Sequence, residues 1–417
     1  MTMQPPTTTV QSPPDHVAEP ETRRNKAPEG PVQVVHAFWL AGMSCDGCTI
    51  STTGATNPSV EDLLNGVIPG LPKVVLHHPV LSLEAGEEFI EPFAQAARGE
   101  LDAPYVVIYE GSIADESIAA EYGGYWSAMG DHAIPEGGEG PYSTAERLAE
   151  MAPGAAAVFA IGTCATWGGI PAAIGNPTNA MSLMDYLGED YRSALGLPVI
   201  NVPGCAPIGD NFTETIAAIL LFLQGIGPLP EFDELGRPAW LFSETVHRGC
   251  TRAGYYEEGV FAENFGDKEC LVEVGCWGPV VNCNIVSRGA QSHMGGCMAA
   301  GGPCIGCTMP GFPDKFAPFY KTPPGSAVSS NTSRVVGFGM RRLRALSNHD
   351  RNRETRWGNG EVPSGWGEVK KPGPLDKTVH YFYEKLQFSG SRKPGREDSR
   401  DYATDTPTNV RGESREE

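Results

Sequence analysis

Short apolar runs alternate with helical patterns along the first half of this chain. Val34, Val35, Ala37, Phe38, Trp39 and Leu40 make an apolar stretch that Gly42 ends, which predicts a buried strand. Further strands are predicted at residues 74–76, 105–109, 156–161 and 197–202. Between them Ser59, with Asp62 three residues on, predicts a capping box on a short helix. Ser143 with Glu146 opens a second helix that Pro153-Gly154 closes, and residues 213–223 form a third that ends at Gly225. Strands alternating with helices predict an α/β fold, a parallel sheet covered on both faces. In such sheets the working site lies at the carboxyl ends of the strands. Beyond Pro228 and Pro230 the periodicity gives way to glycine, proline and polar residues, and from about residue 331 the chain turns polar again.

These shifts predict a disordered tail over residues 1–31, which hold seven prolines, and two ordered domains, 32–227 and 228–330. A polar, partly disordered extension covers 331–417, with its last twenty residues disordered. At 417 residues and 40% hydrophobic, the chain can bury a core of that size. Charge is uneven: residues 1–330 carry a net −24 and residues 331–417 a net +4. So acidic a body argues against nucleic acid as a partner. Seven arginines between Arg334 and Arg356 form either a solvated segment or a contact for an acidic partner or anionic lipid. Trp357, Trp366, Tyr381, Phe382 and Tyr383 suggest that parts of the extension dock.

The longest clear apolar run, residues 216–223, is far short of a membrane span. Arg23-Arg24 is followed by Asn25, Lys26, Ala27 and Pro28, not by an apolar export segment, so the pair is expected to be a tail charge. The expected location is the cytoplasm, with peripheral contact on the inner membrane face as the variant. Reduced thiols there favour metal ligation over disulfides.

Seven of the eleven cysteines lie between His247 and Cys307, among glycines and prolines. Zinc prefers four ligands in compact pairs, whereas iron–sulfur clusters accept cysteines from scattered loops. The other four follow predicted strands: Cys45 and Cys48 the first, Cys164 the fourth and Cys205 the fifth. They can therefore converge at one edge of one sheet. There is no G-x-G-x-x-G and no Walker A lysine.

The Cys45-x-x-Cys48 and Pro-Cys304-Ile-Gly-Cys307 motifs stand with Gly-Thr-Cys164-Ala-Thr-Trp-Gly-Gly, Pro-Gly-Cys205, His247-x-x-Cys250 and Gly-Cys276-Trp-Gly-Pro. From about residue 32 to 316 this set resembles the small subunit of nickel–iron hydrogenases, most of all the soluble uptake enzymes of actinobacteria and cyanobacteria. The resemblance implies a flavodoxin-like parallel sheet domain followed by a loop-rich iron–sulfur cluster domain. It also implies an obligate large-subunit partner that holds the nickel–iron centre. Electrons from H2 oxidation would pass through three clusters, [4Fe-4S] or [3Fe-4S], to a respiratory acceptor such as a quinone or a redox protein. By motif, Cys45, Cys48, Cys164 and Cys205 would bind the proximal cluster. Cys283, Cys304 and Cys307 would bind the medial cluster, and His247, Cys250, Cys270 and Cys276 the distal one. Many relatives carry proline where Cys297 stands here, so Cys297 would add a fourth medial ligand unless its loop holds it away.

Three departures stand out. Gly47 and Gly169 occupy the positions of two extra cysteines found in oxygen-tolerant membrane-bound relatives, so a six-cysteine cluster is not expected. Ile50 replaces a glutamate of many relatives. Asp46 either hydrogen-bonds nearby backbone or competes as an oxygen ligand, and His77-His78 is expected in a loop or interface. Other readings of the chain are a hydrogen-sensing subunit, a complex I-like electron-transfer subunit and a zinc-bound scaffold.

Overall fold

The structure is a computed structural model that describes residues 32–131, 140–188, 190–317, 319, 331–332, 334–336 and 338–339. The expected tail, the extension beyond residue 339 and its aromatic residues lie outside the described residues. Among the described residues seven strands occur in chain order: β1 Val34–Ala41, β2 Lys73–His77, β3 Tyr105–Glu110, β4 Ala128–Asp131, β5 Pro141–Ser143, β6 Ala157–Ile161 and β7 Ile200–Val202. Five of them form a parallel sheet in the order β2-β1-β3-β6-β7. Counted along that sheet alone this is the flavodoxin-like order, whose switch point falls between β1 and β3. All five sheet strands were expected. β7 is shorter than expected because Leu197 belongs to a turn, its carbonyl accepting the Ser193 N–H at 2.8 Å.

The strands are apolar on both faces, so side chains of alternating residues feed two cores. Phe38, Leu40, Tyr105, Val107, Tyr109, Val158 and Ala160 face one side, with Phe93 and Leu148 of the covering helices. Val35, Ala37, Trp39, Val106, Ile108, Phe159 and Ile161 face the other. The helices over the first face include α3 Glu87–Arg98 and α5 Thr144–Met151; over the second lie α2 Val60–Asn65 and α8 Gly209–Leu223. Two short helices, α1 Gly47–Thr53 and α6 Gly162–Trp167, leave the carboxyl ends of β1 and β6, while α4 Glu116–Glu121 and α7 Leu183–Leu187 fill connections.

Local chemistry explains these boundaries. Ser143 and Glu146 form the full reciprocal capping box of α5. Ser59 caps α2 through the Asp62 N–H alone, at 3.1 Å. α8 begins four residues before the expected start, at Gly209, with no side-chain cap. Burial of Phe212, Ile216, Ile219 and Leu220 holds it in place, each worth about 1.5–3 kcal/mol.

The loop-rich region has its own core, in which Cys276 and Cys304 pack with Val246, Leu271, Val281, Met309, Phe312 and Phe316. Hydrogen bonds rivet it to the sheet region, among them one from the Trp167 indole to the Thr308 carbonyl at 3.2 Å and two exchanged between the Asn211 and Asn284 amides at 2.9 Å. No helix among the described residues is long and apolar enough to cross a membrane.

Candidate metal centres

The carboxyl edge of the sheet gathers Cys45, Cys48, Cys164 and Cys205, all with free thiols. Cys48 lies in the first turn of α1, and its thiol reaches back to the Ile161 carbonyl at 3.6 Å. That approach requires glycine at the next position. Gly162 has φ +83, and a Cβ there would stand 2.3 Å from the Cys48 Sγ. A Cβ on Gly169 (φ +57) would meet the Cys164 Sγ at 2.8 Å, so a side chain at that position does not fit.

Burial pushes the Cys48 thiol far up, and charge on Glu110, Cys164 and Cys45 pushes it further. Burial raises Cys164 to about 12 against the opposing Ile170 amide, with Cys205 and Cys45 adding to the rise. Cys48, Cys164 and Cys205 thus each sense others of the set.

Beneath them lies a buried polar chain that the cysteine pattern did not reveal. Glu110, 1% exposed at the end of β3, accepts the Cys48 N–H at 3.0 Å, the Thr49 hydroxyl at 2.5 Å and the Trp39 indole at 3.0 Å. The His78 Nδ1 accepts the Val80 and Leu81 N–H groups at 3.0 and 3.3 Å. Its Nε2 therefore carries the proton and donates to the Thr49 Oγ1 at 3.1 Å. Burial lowers His78 to about 4, consistent with a neutral ring. His77 ends β2, is half-buried, and its ring meets that of His36, while His78 begins the loop that follows and is buried. The signal in the sequence was a carboxylate ending an otherwise apolar strand.

Asp46 takes a left-handed conformation (φ 59) before α1, and its side chain makes no capping hydrogen bond. The expected link to nearby backbone is therefore not found at that helix start.

In the loop-rich region, Cys250, Cys270 and Cys276 form a second coupled set. Burial lifts Cys270 to about 12; Cys276 and Cys250 add to this, and the Val272 amide and the Arg252 charge oppose it. The Cys250 thiol accepts the Arg252 N–H at 3.4 Å, and the Cys276 thiol accepts those of Gly278 at 3.4 Å and Cys304 at 3.3 Å. His247 is buried beside them: a Cβ built on Gly278 lies 3.3 Å from the Cys276 Sγ and 3.8 Å from the His247 N. Its ring meets the Tyr256 ring edge-on at 4.6 Å. Burial lowers His247 to about 4, so the imidazole is neutral, as a ligand must be.

Cys283, Cys304 and Cys307 lie between these groups. Burial raises Cys283 to about 12 and Cys307 to about 11, and it raises Cys304 as well. Cys297 is exposed, and its neighbours fall in two groups. Its charge acts on Cys283 and Cys307, but it also couples to Cys276 and Cys250.

The three groups touch in sequence. The Cys307 thiol senses the charge of Cys205, and the Cys304 N–H donates to the Cys276 thiol at 3.3 Å. Thr163 adds to the first joint: its hydroxyl donates to the Cys307 carbonyl and accepts the Gly204 N–H at 3.0 Å.

Thiols raised this far by burial need a nearby cation to ionise, and metal supplies it. Among the described residues no three His, Cys, Asp or Glu side chains close on a point as the ligands of one ion would. Grouped thiols with backbone N–H donors aimed at their sulfurs, as at Cys250 and Cys276, suit an iron–sulfur cluster. The residues present therefore fit that group. A cavity of about 550 Å³ opens at the other end of the sheet, between the start of β1 and the end of α8, and includes none of the cysteines.

Two family models match. Residues 45–219 match the NADH ubiquinone oxidoreductase 20 kDa subunit, and residues 242–320 match the C-terminal region of the NiFe/NiFeSe hydrogenase small subunit. The second match favours a hydrogenase over a complex I-like chain. The periplasmic [NiFeSe] hydrogenase small subunit of Desulfomicrobium baculatum is 31% identical over 285 residues, which cover 68% of this chain and 86% of that one. The quinone-reactive Ni/Fe-hydrogenase small chain of Wolinella succinogenes is 32% identical over 68% of this chain and 72% of its own. Among solved structures, the actinobacterial-type NiFe-hydrogenase from Ralstonia eutropha H16 superposes with a TM-score of 0.73 at 49% identity, over 81% of this chain and 97% of that chain. This chain belongs to the small-subunit family of nickel–iron hydrogenases, whose members transfer electrons for a catalytic site carried by the large subunit.

Proposed function

We propose that this chain conducts electrons from H2 oxidation at the large subunit through three iron–sulfur clusters held in a row. Cys45, Cys48, Cys164 and Cys205 hold the proximal cluster. Cys283, Cys297, Cys304 and Cys307 hold the medial one, and His247, Cys250, Cys270 and Cys276 the distal one. The division of labour follows the two expected domains, 32–227 and 228–330. When bound, the clusters supply one-electron chemistry that no side chain here possesses.

The observation that carries this proposal is a pair of links that connect the three sets in one order: Thr163 holds the Cys307 carbonyl and the Gly204 N–H beside Cys205, and the Cys304 N–H donates to the Cys276 thiol. The chain's residues hold the sulfurs, exclude water and donate hydrogen bonds that favour an added electron. His247 contributes a neutral donor in place of a thiolate, which raises the potential there and marks the exit end.

The large subunit covers the proximal edge, where Cys45 and Cys205 are exposed beside the apolar Ile50 and Ile170. That interface should bury well above about 2,000 Å². The acceptor is a quinone or a redox protein, in keeping with a relative named quinone-reactive. The complex works in the cytoplasm, on or near the inner face of the membrane.

EPR spectroscopy of the co-purified complex through a redox titration tests this. Three separately titrating clusters are expected. A single cluster, or zinc without inorganic sulfide, overturns the assignment. Replacing Cys297 with proline should change the medial signal alone.

A further inference from the structure

A buried cation stands beside the middle thiol set. Arg237 is only 3% exposed, at the junction between the sheet and loop-rich regions. Its position is fixed locally: one carboxylate oxygen of Asp233 accepts the Leu235 and Arg237 N–H groups at 3.0 and 2.9 Å, and the other accepts the Arg237 Nε at 2.8 Å. The terminal nitrogen Nη1 points instead at the Met309 Sδ, 3.8 Å away, a weak acceptor. The guanidinium also lies over the Phe242 ring, 5.2 Å from its centre. Met309 follows Cys307 by two residues and packs in the same cluster as Cys283, Cys304 and Cys307.

The ion pair is lopsided. The Asp233 side chain is 22% exposed and that of Arg237 is 4% exposed. Water therefore screens the carboxylate better than the guanidinium, and the pair presents a net positive field to the protein interior. Burying a guanidinium against a thioether costs free energy that an apolar residue of similar size would avoid. Packing alone does not account for it. The Cys283 thiol, raised chiefly by burial, is also held down in part by the Arg237 charge.

We propose that Arg237 is a fixed internal cation that raises the reduction potential of the medial cluster, with Asp233 tempering it. The proposal rests on the assignment of Cys283, Cys297, Cys304 and Cys307 to that cluster. An electron added near an unscreened positive charge is stabilised, and in a buried setting the effect is not diluted by water or salt.

The test is an EPR-monitored redox titration of the co-purified complex in four forms. Arg237→Met should lower the medial midpoint, by more than it moves either other cluster. Arg237→Lys, which keeps the charge, should hold the midpoint near that of the wild type. Asp233→Asn keeps an oxygen for the two backbone N–H groups but removes the opposing charge, so it should raise the midpoint. Opposite signs from the two halves of one ion pair are not what a merely structural role produces. Unmoved midpoints in Arg237→Met and Asp233→Asn, shifts of the same sign, or equal shifts of all three clusters overturn the proposal while leaving the cluster assignment intact. If Arg237→Met fails to accumulate, Asp233→Asn decides alone, and an unshifted midpoint there overturns the proposal. A wild-type complex with no medial signal overturns the assignment, and this proposal with it.

Discussion

Replacing Gly162 with alanine puts a methyl group almost on top of a thiol. The new Cβ would lie 2.3 Å from the Cys48 Sγ, while Gly162 itself has φ +83. The backbone strain alone is worth about 1–2 kcal/mol. Ordinary contact begins near 3.4 Å, so Cys48 must also retreat by about 1 Å, which pulls its N–H away from the buried Glu110 carboxylate. An unmet buried donor adds roughly 1–3 kcal/mol. Gly99→Ala is the matched control, because Gly99 has φ +69 but a Cβ there meets nothing within 4 Å. The control should cost the strain term alone and keep every cluster. Gly162→Ala should lower the melting temperature of the complex further. It should also abolish the proximal EPR signal, with about a third of the iron and inorganic sulfide lost if each site holds a similar cluster. A Gly162→Ala complex with a wild-type proximal signal and midpoint would refute the claim that glycine is needed to seat Cys48.

Glu110→Gln keeps one acceptor oxygen but turns an NH2 group toward a donor, leaving at least one of Cys48 N–H, Thr49 hydroxyl and Trp39 indole unmet. The expected cost is roughly 2–4 kcal/mol, read as a lower melting temperature by circular dichroism; an unchanged melt contradicts it. Thr163→Val removes the donor to the Cys307 carbonyl and the acceptor for the Gly204 N–H, whereas Thr163→Ser should restore both. Loss of thermal stability in the first variant and recovery in the second is the expected pair, and equal behaviour speaks against the bridge. His77 and His78 are held near pKa 4 by burial, below the ordinary 6.5. Above pH 6.5 both rings are neutral folded or unfolded; as pH falls from 6.5 towards 4 only the unfolded chain takes up protons, so stability drops across that window. The loss is at most about 3 kcal/mol per ring, and less for the half-buried His77. His78→Gln should make that decline shallower; the same slope as wild type would count against it.

What could be read from the sequence depended on whether a feature was local. The sheet strands were visible because Phe38, Val107 and Phe159 belong to runs buried on both faces, which leave continuous apolar stretches. The capping box at Ser143 and Glu146 was visible because its partners are three residues apart. The antiparallel pair β4 and β5 went unseen: Ala-Met-Gly-Asp and Pro-Tyr-Ser carry no alternating apolar pattern. The cysteines announced themselves by motif and by following strands, but the polar groups that seat them did not. Glu110 meets Cys48 across 62 positions, and Arg237 meets Met309 across 72. Such partners are set by the way chain segments cross, which no window of sequence records. Nor could the sequence show that Cys297 would lie within reach of two groups of thiols.

The links between the thiol groups have a consequence for how the protein matures and fails. Thr163 ties the loop that carries Cys205 to the Cys307 backbone, and the Cys304 N–H steadies the Cys276 sulfur one step further along. The three proposed cluster sites are thus laced, not independent sockets. Oxidative loss of the middle inorganic core would slacken the loop that braces Cys276 and loosen the Thr163 tie to the loop that carries Cys205. Damage at the centre would spread towards both ends, and repair would have to rebuild the whole row.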